Sequence, residues 1–278
     1  MRIRLWGTRG SVAAPGADTA RYGGNTSCVE VRGREGTVLV LDAGTGIRPF
    51  GRTVGKEVRR VDVLLTHLHM DHIQGLGFFA PLYHPDVETH LWGPASTTLD
   101  LRGRLMRYLS PPLFPVHFRD LPRVVLHDVP DGGEFDVGEF RVQADRVCHP
   151  GFTVGYRITT GAATMTYLSD HEPALGVPRF PLHADWTSGH ALAHGVDLLV
   201  HDAQYSLAEY PAHVGWGHSA LEHTLTFAGL AGAKHLVTFH HDPAHDDDAI
   251  DGLTDIAMAS ARVSFTVTAG AEGAVFEL

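Results

Sequence analysis

Cysteine is scarce in this 278-residue chain: Cys28 and Cys148 are the only two. They are too few for a disulfide framework or a Cys-rich zinc site. Two reduced, buried thiols are expected, with one bridge between them as the alternative. Long apolar runs are missing as well, none approaching the ~20 residues that a membrane-spanning helix needs. The start, Met1-Arg2-Ile3-Arg4-Leu5-Trp6-Gly7, alternates like a strand where a signal peptide would carry its apolar core. A cytoplasmic protein without membrane contact is the expectation. There is no low-complexity segment, long linker or short-period repeat, so residues 1–278 are expected to form a single domain. Positive charge is in deficit, with 22 Lys and Arg against 32 Asp and Glu and a formal net charge of −10. That argues against non-specific nucleic-acid binding through bulk electrostatics, though a local basic patch would survive it.

What the chain does have is histidine, 20 of them. Its hydrophobic fraction of 44% is ordinary for a protein with a real core. Alternating or apolar runs read as strands at 2–6, 27–32, 37–42, 61–65, 88–92, 123–127, 140–147, 154–159, 163–168, 197–201 and 235–239, with two more at the end. Helices are predicted from about Asp71, over 95–109, after Ser219 and over 246–260. Ser219 and Glu222 have the spacing of a capping box, and 221, 225 and 228 have a helical period. Two sheets with helices outside are the simplest arrangement.

The informative pattern lies in what ends each apolar run. Val38-Leu39-Val40-Leu41 ends in Asp42, and Val63-Leu64-Leu65 leads into His67. Val142 to Val147 leads into Cys148-His149, and Met165-Thr166-Tyr167-Leu168 into Ser169-Asp170. Leu198-Leu199-Val200 ends in His201-Asp202, and Leu236-Val237-Thr238-Phe239 in His240-His241-Asp242. Strand ends on one edge are where α/β folds build sites. Asp and His are common turn residues, but six strands each delivering one exceed what turn chemistry explains.

The densest of these ends is Thr66-His67-Leu68-His69-Met70-Asp71-His72. His67 and His69, two apart in extended backbone, project to the same side. Asp71 and His72 fall on the first turn of a helix, where the chain changes direction toward a second point. Imidazole and carboxylate suit zinc, manganese or iron. Four ligands in six residues exceed what one tetrahedral ion takes from a single loop and favour two ions.

This segment resembles the signature of the metallo-β-lactamase superfamily, and the other strand ends follow that family's order along nearly the whole chain. The resemblance implies an α+β fold, a four-layer αββα sandwich of two mixed β-sheets with helices outside, made of two similar halves. It also implies two divalent metal ions, zinc first, with manganese or iron as alternatives. One ion would take His67, His69 and His149, the other Asp71, His72 and His240, and Asp170 would join them. His241 is the alternative to His240. Asp42 would brace the histidine loop without binding metal, and His201 and Asp202 would support the ligands from behind.

The stretch Gly215-Trp216-Gly217-His218-Ser219 resembles the phosphodiesterase branch that includes ribonuclease Z, as do Gly7-Thr8-Arg9-Gly10-Ser11 and Trp92-Gly93-Pro94. Between Gly155-Tyr156-Arg157-Ile158 and Asp170 there is room only for a short hairpin around Gly161, with none for the tRNA-binding arm of the bacterial enzyme. The resemblance therefore implies hydrolysis of a small or cyclic phosphodiester by a hydroxide bridging the metals, in a homodimer. His218 would act catalytically by stabilising charge or protonating the leaving oxygen, and Asp71 by relaying a proton; His218 as a plain helix-flanking residue is the alternative. The competing functions are a nuclease on RNA or DNA ends, a carboxylic- or thiol-ester hydrolase of the lactonase kind, and a catalytically silent metal-binding module. Arg102, Arg104 and Arg107 are read as a solvated helix face rather than a phosphate contact, Arg9 as a turn residue, and Asp246-Asp247-Asp248 as negative charge at a helix N-terminus.

Overall fold

The computed structural model describes residues 1–130, 132–177 and 180–278. Two seven-stranded sheets face each other. The first contains β1 (Arg2–Gly7), β2 (Cys28–Arg32), β3 (Val38–Leu41), β4 (Arg60–Leu64), β5 (Glu88–Pro94) and β6 (Val124–Val129), in that spatial order. The chain then builds the second sheet from β7 (Gly133–Val137), β8 (Phe140–Arg146), β9 (Val154–Thr160), β10 (Ala163–Leu168), β11 (Leu198–Asp202), β12 (His235–Phe239) and β13 (Thr266–Ala269). The last strand, β14 (Val275–Glu277), returns to pair with β1. Each sheet has the same grammar. Antiparallel pairs run from β14 to β3 and from β7 to β10, and parallel pairs from β3 to β6 and from β10 to β13.

Period-two alternation explains the layering. In β3, Leu39 and Leu41 point into the core between the sheets, where they meet Phe140, Tyr156, Tyr167, Val200 and Phe239. Val38 and Val40 point the other way, against Phe50 of α1 (Ile47–Gly51), Leu76 and Phe79. Both faces are covered, so the parallel strands read as continuous apolar runs. The outer face of the second sheet, including Leu199 and Leu236, packs on α4 (His190–Ala193), α5 (Leu221–Ala231) and α6 (Asp247–Ser260). The four layers expected from the resemblance are present. Among the described residues no helix is long and apolar enough to cross a membrane. Cys28 and Cys148 are both free thiols, Cys28 buried and Cys148 half-buried.

Several local expectations need correction. The helix expected over 95–109 is only α3 (Leu101–Leu105), because Asp100 caps it, accepting from Gly103 N, and Ser96 and Thr98 form a turn before it. The helix from Asp71 is one turn, α2 (Met70–Ile73). Ser219 and Glu222 do not form a capping box. Ala220 occupies the cap position, Ser219 Oγ donates to the His171 carbonyl, and Glu222 accepts from Leu207 N, so both side chains serve other segments. Asp246 does cap α6, accepting from Ala249 N. Its neighbour Asp247 is buried, holds the backbone N–H groups of Arg21 and Tyr22, and lies 3.7 Å from Arg9. Arg9 is itself fully buried, donating to the carbonyls of Gly23, Asp242 and His245. It is a cross-link between chain ends rather than a turn residue or a phosphate contact.

Candidate metal centre

Asp42, His67, His149, Asp170, Asp202 and His240 all sit at or just beyond the C-terminal ends of β3, β4, β8, β10, β11 and β12. They meet on one edge of the sandwich. Ligand atoms of His67, His69 and His149 lie within 4.8 Å of one another, and so do those of Asp71, His72, Asp170 and His240. These are the two sets expected from the sequence. Asp170 lies between them: its carboxylate is 2.9 Å from His72 Nε2, 3.3 Å from His240 Nε2 and 3.8 Å from both His67 Nε2 and His149 Nε2. His240, not His241, faces the cluster; His241 is buried with Nε2 donating to the Gly270 carbonyl.

The positions of these side chains are built in from behind. Asp42 has a left-handed backbone (φ 60°), as does His240 (φ 60°). A non-glycine residue holds that conformation at a cost of about 1–3 kcal/mol, and functional sites are where such strain persists. In both cases it turns the chain sharply as it leaves a parallel strand. Asp42 accepts from Thr66 N at 2.8 Å, from the hydroxyls of Thr66 and Tyr167 at 3.0 Å, and from His72 Nδ1 at 2.8 Å. Because the Thr66 hydroxyl donates to Asp42, it accepts from His67 Nδ1 at 3.0 Å. His149 Nδ1 donates to the Gly217 carbonyl at 2.9 Å and His240 Nδ1 to Gln204 Oε1 at 2.9 Å. In the neutral form of each of these four histidines Nδ1 carries the proton, so the lone pair falls on Nε2, the atom facing the cluster. Such partners fix tautomer and ring orientation in metal-binding histidines. Among the described residues His69 has no comparable brace, and it is exposed; its Nδ1 lies 3.2 Å from His149 Nε2. On the second set, Ser11 N donates to Asp71 Oδ2 at 2.9 Å.

The donor set fits divalent cations. Among the described residues His67 Nε2, His72 Nε2 and Asp170 Oδ1 are fully buried without a satisfied hydrogen bond; His72 Nε2 and Asp170 Oδ1 lie 2.9 Å apart, but with the His72 proton on Nδ1 they face each other as two acceptors. Buried polar atoms without partners are costly and rare, and here they point at one another across the cluster. Charge leads to the same conclusion. Asp42, Asp71, Asp170 and Asp202 are all buried, and every ion pair they make among the described residues is with a histidine. Burial alone would push the Asp170 carboxyl up, but His240, His72 and His67 hold it well below the usual carboxylate range. Burial likewise disfavours protonated His240, yet Asp170, Asp71 and Asp202 raise it to about 9. The pocket calls for positive charge. Burial pushes His67 well down and His149 down to about 4, leaving neutral imidazoles suited to ligation.

Beside the cluster stands His218, on the loop between β11 and α5. Its Nδ1 donates to Asp202 Oδ2 at 2.7 Å, and its ring stacks on His240 with centroids 4.8 Å apart. Asp202 is fully buried, and it also accepts from Gln204 N and Ser219 N. Among the described residues His201 contacts none of the candidate ligands: it is buried and pairs with His171 at 2.9 Å. Arg102 lies over the Phe118 ring and Arg104 donates to the Pro94 carbonyl, so both are engaged by their own neighbourhood.

Gln204, Ser11 and Glu172 were not singled out from sequence. Gln204 and Ser11 act through a neutral amide and a backbone N–H, which leave no signature of charge or spacing. Glu172 is buried beneath the 210–217 loop, where it accepts from Gly215 N and Gly217 N. That loop is intolerant of bulk at one point. Gly217 has φ 86°, and a β-carbon there would fall 2.3 Å from His149 Nδ1. Gly217→Ala is expected to destabilise the protein by about 1–3 kcal/mol. By displacing the partner of His149 it should also weaken metal binding about 10- to 100-fold, read by thermal unfolding and metal titration.

Comparison with known proteins identifies the family and the fold. Residues 37–241 match the family model described as a beta-lactamase superfamily domain. A ribonuclease Z of Natronomonas pharaonis is 24% identical over 282 residues, covering 86% of each chain. Among solved structures, the short form of human tRNase Z superposes with a TM-score of 0.69 at 22% identity, covering 100% of this chain and 99% of that one. Zn(2+)-bound PqqB from Methylobacterium extorquens superposes with a TM-score of 0.72 at 18% identity, covering all of both chains.

Proposed function

The chain belongs to the β-lactamase superfamily, and from that premise we propose that it is a two-metal hydrolase acting on a small phosphodiester. His67, His69 and His149 would hold one divalent ion, Asp71, His72 and His240 the other, and Asp170 would lie between them. Zinc is the first expectation, with manganese or iron as alternatives, since His and Asp donors accept all three. Such a pair of ions lowers the pKa of bound water and polarises a phosphoryl oxygen.

The observation that carries the phosphoryl reading is the His218–Asp202 pair beside the cluster. A carboxylate only accepts, so Asp202 keeps the proton of the neutral His218 on Nδ1 and leaves Nε2 as the atom available for chemistry. In the imidazolium form, with a second proton on Nε2, that nitrogen would stabilise charge on a leaving oxygen or pass it that proton. Asp71, which accepts from Ser11 N, would take a proton from the attacking water. His218→Ala is expected to lower kcat on bis-p-nitrophenyl phosphate by about 10²- to 10⁴-fold with metal content intact; wild-type turnover in that variant would remove His218 from the chemistry. Asp202→Asn should give a smaller loss, because it disturbs the tautomer and orientation of His218 but leaves the imidazole in place.

A small substrate is supported by the turn between β9 and β10, which holds only Gly161 and Ala162, and by the net charge of −10. The second reading, cleavage of RNA ends, is favoured by the names of the relatives. Cyclic nucleotides against a labelled RNA with a 3′ extension separate the two: turnover of the RNA alone would reverse the order. A homodimer belongs to the same proposal and is checked by light scattering.

A further inference from the structure

Trp216 is two residues from His218 and takes no part in the chemistry described above. Its side chain is 60% exposed, yet the backbone that presents it is clamped from below. The Glu172 carboxylate, 1% exposed and without a cationic partner among the described residues, accepts from the N–H groups on either side, Gly215 at 3.1 Å and Gly217 at 2.9 Å. It also accepts from Tyr210 Oη at 2.6 Å. Trp216 N itself donates to the His213 carbonyl at 3.0 Å. A buried carboxylate is costly to desolvate, and a loop that merely crosses the surface has no need of one. Here it fixes the base of an open indole.

A row of rings connects that indole to the site. Tyr205, 4% exposed, meets His218 edge-on with centroids 6.0 Å apart and stacks on His213 at 4.2 Å and 15°. His213 in turn meets Trp216 at 4.9 Å and 90°. The row climbs from the buried catalytic candidate to solvent and ends on a large flat surface. Val214, 43% exposed, extends the apolar surface beside it. Single exposed apolar side chains are ordinary. A rigidly mounted one at the end of an aromatic row beside a candidate catalytic histidine is a surface for a planar group.

We propose that Trp216, backed by His213 and Tyr205, is the stacking platform for the nucleobase of a nucleotide phosphodiester whose phosphate lies at the metal centre. The inference deepens the phosphodiesterase reading and rests on it. Every nucleobase offers a π-face, and one base on one aromatic ring is worth about 1–3 kcal/mol. A single phosphate with its base suits an acidic protein better than a long polyanion does.

The test compares two esters with the same leaving group, thymidine 5′-(p-nitrophenyl phosphate) and methyl p-nitrophenyl phosphate. Trp216→Ala is expected to cut the kcat/KM preference for the thymidine ester by about 5- to 100-fold, chiefly through KM, while Trp216→Phe keeps most of it. Equal losses on both esters would make Trp216 a mere support of the His218 loop and overturn the proposal, as would an unchanged preference. A second arm needs no turnover: by calorimetry, thymidine 5′-monophosphate should bind the wild-type protein more tightly than methyl phosphate and lose that advantage in Trp216→Ala. If neither ester is hydrolysed but that advantage holds, the phosphodiesterase reading fails and the platform stands. If the esters are hydrolysed and no advantage exists, the platform fails alone.

Discussion

Asp170→Asn is expected to lower phosphodiester turnover by at least about 10³-fold and to leave the protein unable to hold two metal ions at once. The carboxylate lies within 3.8 Å of histidines from both sets, 2.9 Å from His72 Nε2 and 3.8 Å from His67 Nε2. Among the described residues no other carboxylate pairs with histidines of both sets. Asparagine preserves shape and volume but removes one acceptor oxygen and the negative charge that balances two cations. Metal ions contribute several kcal/mol to transition-state charge stabilisation, and each 1.36 kcal/mol is tenfold in rate, which sets the size of the loss. Elemental analysis of the purified variant beside its kinetics checks it. A variant with two ions and near-wild-type turnover would show that Asp170 joins nothing.

Asp42→Ala is expected to have the largest effect on stability, although Asp42 belongs to neither ligand set. Removing the carboxylate strands the Thr66 N–H and hydroxyl, the Tyr167 hydroxyl and His72 Nδ1 in the core at once. Breaking a buried ionic pair costs about 3–5 kcal/mol, which for a chain of this length lowers Tm on the order of 10 °C. Because Asp42 also fixes the tautomers of His67 and His72, metal affinity should fall with it. Asp42→Asn should fall in between, since it can still accept but no longer matches every donor. Thermal unfolding of the apo and metal-loaded forms separates the two effects: an Asp42→Ala variant unfolding within about 1 kcal/mol of wild type would contradict this role.

The parts of the fold that were legible in the sequence are those where one physical rule acts alone. β3, β4, β11 and β12 are covered on both faces, so their apolar runs stood out, and the residues ending them were the candidate site. β7 was missed because it is an edge strand whose Glu134 and Asp136 face solvent and whose short run, Gly-Glu-Phe-Asp-Val, carries little apolar signal. The one-turn helices α1 and α4 were missed for a related reason. The first contains Pro49 and Gly51 and the second follows Gly189, so both read as turns, and tertiary packing rather than propensity closes them. In the site, charged and imidazole groups at strand ends could be found from sequence. Gln204, the Ser11 N–H and the buried Glu172 could not, because what makes them matter is a partner 36, 60 or 45 residues away. The Ser219–Glu222 spacing failed in the opposite sense: the pattern was present, but His171 and Leu207 claim both side chains.

The central claim, two metal ions in one hydrolytic site, is tested most directly by titrating chelator-stripped protein with zinc, manganese or iron while following turnover of bis-p-nitrophenyl phosphate. Activity should be absent at the start and saturate at two ions per chain, with His67, His149 and His240 variants each failing to reach that plateau. Full turnover in the stripped protein, or a plateau reached at a single ion, would contradict it.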